Sequence, residues 1–278
     1  AAQAAFGERV RRRAAGSAVA AGRVRADAED PDAASAAEYE RGGQRSVTER
    51  VAAPAPARPI EFPPGVDAAA VVRPMLHTAY WRADAQGAAL RRHACRHDPV
   101  VFALTYLRHH LRLPDTQTVS FARFHLDLAR AALRWERPEP ARDIWIAPRG
   151  AGKTRWLFCI LPLWALAFGH RRFVLCLAHT AEQAVGHLAG LRQELAGNPL
   201  LRHDFAELAP RKVAGARHTA KIVNLTQGTV LAGGLGETLL GVSAGAARPD
   251  LIIGDDLEPA EAEYSPQIKE KLRSKLIN

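Results

Sequence analysis

Methionine occurs once, at Met75, and cysteine only three times in 278 residues. Three cysteines, with Cys159 and Cys176 set inside apolar runs, offer no disulfide framework and suit a reducing compartment. No apolar run reaches the roughly 18 residues that a membrane-crossing helix needs. The best candidate, WLFCILPLWALAF, is too short, contains Pro162 and follows a GKT, so it reads as a buried helix. There is no recognisable signal peptide and no internal repeat. Acidic residues are in the minority: 29 Asp and Glu stand against 38 Lys and Arg, a net charge of +9. That excess favours a polyanionic partner, although a genome that prefers arginine codons produces the same balance. The chain starts at Ala1 and stops at Asn278 within a charged helical pattern, SPQIKEKLRSKLIN. These ends suggest a fragment.

Composition changes along the chain. Residues 1–65 are rich in Ala, Arg, Asp and Glu and then in Pro (VAAPAPARPIEFPPG), with few aromatic or β-branched residues. Such a segment buries too little surface to order itself, so a disordered arm and a Pro-rich linker are expected. Residues 66–140 read as a helical lead-in. Apolar residues recur at helical spacing over 86–97, 99–113 and FARFHLDLARAALRW, with LPDTQTVSF as a loop between them. Over 141–278 the pattern alternates. IWIA is a short apolar strand, Thr154 to Phe168 a long apolar helix, and RRFVLCLA a second strand. Thr180 and Gln183 form a capping-box signature for a helix reaching about Gly197. KIVNLTQGTVLAGG reads as a hairpin turning at Gln227–Gly228, and DLIIGDD as a buried strand ending in carboxylates. Strands alternating with helices argue for a parallel α/β sheet.

The stretch APRGAGKT carries the first chemical signal. In a phosphate-binding loop, backbone N–H groups wrap the phosphates and the following helix offers its positive end. Lysine then reaches the β- and γ-phosphates, and a Ser or Thr hydroxyl meets Mg²⁺. Gly150, Gly152, Lys153 and Thr154 fit this pattern, and Pro148 and Ala151 complete the loop. Ala147 replaces the usual first glycine, at a position where a small residue can still close the turn. Arg149 is an addition. Placed four residues before Lys153, its guanidinium would act on the γ-phosphate as an arginine finger in cis; the plainer reading is a solvated loop arginine.

DLIIGDDLE supplies the second signal. In open parallel sheets ligands sit beyond the carboxyl ends of the strands, where the loop also leaves its own strand. Asp255 is the expected metal ligand together with Thr154. Asp256 is the expected activator of the attacking water, with Glu258 close behind. The bland alternative is an acidic strand end that merely caps a turn.

Taken in order, PRGAGKT, PLWALAFGHRRFVLCLAHTAEQAVGHLAGLRQEL, NPLLRHDF, QGT and RPDLIIGDDLE resemble the large terminase subunit of tailed bacteriophages, over about Arg91 to Asn278. That family carries an arginine in its loop where Arg149 stands. The resemblance implies a P-loop NTPase fold of the RecA-like, additional-strand class, a three-layer parallel sheet flanked by helices. It implies an ATP- and Mg²⁺-dependent motor that pumps double-stranded DNA into a procapsid. It also implies portal protein and small terminase subunit as partners, a homo-oligomeric ring, no membrane, and the host cytoplasm with transient residence at the portal vertex. The family's nuclease domain has no counterpart in this chain. Leu240 stands where relatives often carry arginine. A superfamily 2 helicase-like translocase and a prophage remnant that only binds nucleotide or DNA are the rival readings.

Three weaker constellations remain. His93, Cys95 and His97, with His109 and His110, lack the usual zinc spacings and read as polar helix positions. Phe124, His125 and Trp135 are candidates for stacking on adenine. Arg171, Arg172, Arg211, Lys212, Arg217 and Lys221 form a candidate set for DNA phosphates.

Overall fold

The computed structural model describes residues 60–113, 118–148, 150–211, 220–235 and 248–257, together with 265, 267, 270 and 274. All of them fall within the compact unit Glu49–Asn278. The chain is mixed α/β. No helix among the described residues is long and apolar enough to cross a membrane.

The lead-in begins with a two-residue strand, β1 (Ile60–Glu61), inside the stretch read as linker. It pairs in parallel with β2 (Val119–Ser120), itself inside the stretch read as a loop. Phe62 stacks on Phe121 at 4.9 Å and fixes the pair. After α1 (Ala68–Val72) come α2 (Ala85–Cys95) and α3 (Pro99–Tyr106), close to the expected helical spans. Helix α2 buries Gly87, Arg91 and Cys95, one stripe at four-residue spacing. Helix α3 starts cleanly because Asp98 accepts from the Val100 and Val101 amides and Pro99 needs no donor partner. All eight of its residues are buried. A 3-10 turn (Arg108–Leu111) follows, and α4 (Arg123–Ala132) closes the region.

The long apolar helix begins as α5 (Lys153–Arg155) and ends as α6 (Leu161–Ala167), with a π-helical turn over Trp156–Ile160 between them. Pro162 explains the interruption, because it has no N–H to give to the carbonyl one turn back. Trp164 anchors the rod to the lead-in by donating its indole N–H to the Cys95 carbonyl at 3.0 Å. Then follow β3 (Phe173–Ala178), α7 (Ala181–Gly197), α8 (Pro199–Asp204), β4 (Ile222–Asn224), β5 (Thr229–Gly234) and β6 (Leu251–Gly254). Thr180 caps α7 as expected, accepting from the Gln183 amide at 3.2 Å.

The four-stranded sheet has the order β4-β5-β3-β6. Strand β3 is its axis. All six of its residues are buried, and it runs parallel to both β5 and β6. The Asp250 carboxylate accepts from the Arg172 and Phe173 amides, which ties the start of β3 to the start of β6. Strand β4 returns antiparallel to β5 as the hairpin requires, so the sheet is mixed rather than wholly parallel.

One strand does not form. IWIA has no strand pairing among the described residues, and Ile144 and Ile146 are 92% and 94% exposed. Its composition suits a strand, but a strand needs a neighbour for its N–H and C=O groups.

Lead-in and sheet region share one apolar core, and an ion pair with no exposed surface crosses between them. Arg91 of α2 meets Asp204 of α8 through two parallel contacts, Nε–Oδ2 at 2.6 Å and Nη2–Oδ1 at 2.8 Å. The Tyr106 hydroxyl donates to Oδ2 at 2.7 Å, and Arg91 Nη1 reaches the carbonyls of Tyr80 and Arg82. Burial opposes the charge on Asp204, but Arg91, His203 and Tyr106 outweigh it and hold the carboxyl below its ordinary range. Removing one partner of such a pair strands a buried charge. Arg91→Ala should therefore cost about 3–5 kcal/mol in denaturant unfolding. A loss under about 1 kcal/mol would show that the pair does not hold the two regions together.

Candidate functional site

Gly150 to Gly152 form a tight turn at the start of α5. Gly150 and Gly152 have φ of 79° and 75°, a left-handed conformation that a side chain resists. The Ala151 amide points back to the Pro148 carbonyl at 3.4 Å, and Gly152 serves as the N-cap of α5. The loop is clamped from α4. His125 Nδ1 accepts from the Ala122 amide at 3.0 Å, so Nε2 carries the proton and donates to the Ala151 carbonyl at 2.6 Å. One face of the ring stacks on Trp156 at 5.6 Å. His125 is thus a support for the loop and not a free stacking surface. Phe124 and Trp135 pack against the core, Phe124 edge-on to Trp145 at 6.0 Å.

Strand β6 delivers the carboxylates. Its burial alternates, with Leu251 and Ile253 inside and Ile252 outside, and Asp255 continues the inner face while Asp256 turns out. The Asp255 amide still donates to the Leu177 carbonyl, extending the β3 ladder at 3.1 Å. Asp256 then leaves the strand with a φ of 48°. The Thr154 hydroxyl donates to Asp255 Oδ2 at 2.5 Å across 101 residues of sequence. Lys153 Nζ lies 3.6 Å from Asp255 Oδ1 and 4.0 Å from Asp256 Oδ1. Asp255 is 6% exposed, while the Asp256 side chain is 66% exposed. Arg149 and Glu258 lie outside the described residues, as do Lys212, Arg217 and Leu240.

Lys153, Thr154 and Asp256 border a cleft of about 860 Å³, closed on its far side by α7. Gly186 and Gly190, one turn apart, line that wall together with His187 and Gln193. A Cβ on Gly190 would sit 2.6 Å from Arg155 Nη1, so the missing side chain is what admits the arginine. Two glycines within a helix each cost stability relative to alanine, and that penalty was the sequence signal for this wall. His187 packs on Phe158 at 5.0 Å, and its buried Nε2 has no hydrogen-bond partner. Chemically, the mouth of the glycine-rich turn gathers the Lys153 ammonium, the Asp255 and Asp256 carboxylates and the Thr154 hydroxyl, with the Arg155 guanidinium also lining the cleft. Oxygen donors of this kind suit a hard divalent ion such as Mg²⁺.

The remaining candidates are dispersed. Cys95 is fully buried against Tyr80 and Thr105, His97 bonds Glu136, and His109 and His110 both meet Glu194. Arg172 and Arg211 flank a second cleft of about 410 Å³, at the end of β3 away from Asp255. No known protein family matches this chain, and a comparison with curated proteins also yields no match.

Glu194 on α7 reports on the first cleft through His110, which lines it. Burial opposes its ionisation, yet the bonds to His109, His110 and Asn198 prevail and hold its carboxyl down at about 2. A depressed carboxyl stabilises the fold above its unfolded value, and that contribution disappears as pH falls through the folded value. The stability gap between wild type and Glu194→Gln should therefore narrow from pH 4.5 towards about 2. A gap that stays constant in urea titrations over that range would remove the carboxylate from this role.

Proposed function

We propose that the chain is an ATP-hydrolysing motor subunit of the P-loop class, the ATPase portion of a large terminase subunit. The observation that carries this reading is the contact of Thr154 with Asp255, with Lys153 beside both carboxylates. It joins a glycine-rich turn to the carboxyl end of a strand in the parallel part of the sheet. That is the geometry expected for nucleotide binding in an open α/β sheet. In this reading the loop amides of residues 150–154 receive the phosphates, and Lys153 turns from the carboxylates to the β- and γ-phosphates. The Thr154 hydroxyl and the Asp255 carboxylate hold Mg²⁺, which when bound neutralises charge on the phosphates. Asp256, exposed at the cleft, orients the attacking water, with Glu258 next in line, and Arg149 stabilises the transition-state charge. Catalysis here rests on positioning and electrostatics, because phosphoryl transfer asks little covalent chemistry of the protein.

The work done would be translocation of double-stranded DNA into a procapsid. The portal protein and small terminase subunit are the partners, within a homo-oligomeric ring at the portal vertex in the host cytoplasm. The net charge of +9 and the pairing of Arg172 with Arg211 at one cleft support contact with a polyanion.

The test is ATP hydrolysis by the full chain with and without double-stranded DNA. Wild type should turn over ATP, faster with DNA, and Lys153→Ala should lose roughly 100-fold or more in kcat. ATP binding without turnover would favour a binding-only remnant. Absence of ATP binding would sink the motor reading.

A further inference from the structure

We propose that His109, His110 and Glu194 form a binding site for one divalent transition-metal ion, zinc above all. The 3-10 turn after α3 sets the two consecutive imidazoles side by side, their centroids 4.2 Å apart. Both Nε2 atoms converge on a single oxygen, Glu194 Oε1, at 2.7 and 2.8 Å. The three donor atoms lie within 4.8 Å of one another. A tetrahedral ion bound at about 2.0–2.1 Å spaces its ligands roughly 3.3 Å apart. The two imidazole–carboxylate distances have to open by about half an ångström, which side-chain torsions supply.

The surroundings are those of a built site. The Glu194 and His110 side chains are 7% and 9% exposed, and His109 is 48% exposed. The second oxygen of Glu194 accepts from Asn198 Nδ2 at 2.7 Å. Asn198 is itself fixed, since it also donates to the Tyr106 carbonyl and accepts from the Leu201 amide that opens α8. Such support orients a carboxylate ligand before any ion arrives. Two imidazole nitrogens select zinc-like ions over Mg²⁺. Cys159 Sγ, 3.9 Å from His110 Nε2, adds a soft group beside the set. His110 and Cys159 line the cleft that holds Lys153 and Thr154, so the set borders that cleft. An ion held there clamps the turn behind α3 to the last turn of α7. The site shares no ligand with Thr154 and Asp255 and stands independently of the motor reading.

The experiment titrates the full chain with Zn²⁺ in millimolar Mg²⁺ against a chromophoric chelator and follows its thermal melt. Wild type should bind one Zn²⁺ per chain and melt at a higher temperature when loaded. His109→Ala, at a half-exposed position where removal leaves no cavity, should weaken binding at least about tenfold. Glu194→Gln should do the same, and the melting shift should vanish in both. Failure of wild type to bind Zn²⁺ would overturn the proposal. So would undiminished binding by a folded His109→Ala or Glu194→Gln chain.

Discussion

The Asp204 side chain has no exposed surface and carries a charge, and much of the molecule is arranged around that fact. A buried carboxylate costs several kcal/mol unless its oxygens are fully matched. Matching it draws Arg91 from α2, Tyr106 from α3 and His203 from α8 to one point. Tyr106 spends its hydroxyl there, and its carbonyl takes the Asn198 amide. Asn198 reaches Glu194, and Glu194 holds His109 and His110 at the edge of the main cleft. A continuous polar network therefore runs through the apolar core from the lead-in helices to the cleft wall. Inside a medium of low dielectric, such a network is strong when complete and costly when broken.

The other determinant is register. Strand β6 lies beside β3 with Val174 opposite Leu251 and Leu177 opposite Gly254. Side chains alternate along a strand, so a slip by one residue would turn Asp255 outward and Asp256 inward. The observed register instead sends Asp255 to Thr154 and leaves Asp256 open to solvent. Asp250 helps to fix it, because its carboxylate accepts from the Arg172 and Phe173 amides where β3 begins. A capping residue at one end of the strand thus positions the chemistry at the other.

Local patterns were legible in the sequence. The spans of α2, α3 and α7, the β4–β5 hairpin, β3 and β6 follow from periodicity, caps and turn residues. The convergence of Lys153, Thr154 and Asp255 was also expected, at the carboxyl end of β6, although the strand expected before the loop does not form. Contacts between distant residues were not legible. Arg91 looked like one more helix arginine, and nothing local says that it pairs with a residue 113 positions away. His125 suggested stacking on a bound base, whereas its ring stacks on Trp156 and its two nitrogens brace the loop. The spacing of His109 and His110 matched no zinc pattern because their third companion lies 84 residues beyond His110, on another helix. Pro162 was noted as a bar to a membrane span, but its effect on the helix, a π turn, depends on how the rod packs.

The stretch Ile144–Ala147 shows why pattern and pairing are separate quantities. Its side chains alternate as a strand requires, with Trp145 turned in towards Phe124 and the two isoleucines out. Leaving an isoleucine in water forgoes about 1.5–3 kcal/mol of burial, so this segment is held by its tryptophan and not by a sheet. Strand β6 likewise exposes Ile252 at 61%. The glycine-rich loop is consequently fixed from its downstream side. Gly152 caps the helix, Thr154 is tied to Asp255, and His125 grips the Ala151 carbonyl. The part so fixed carries the Lys153 ammonium and the Thr154 hydroxyl.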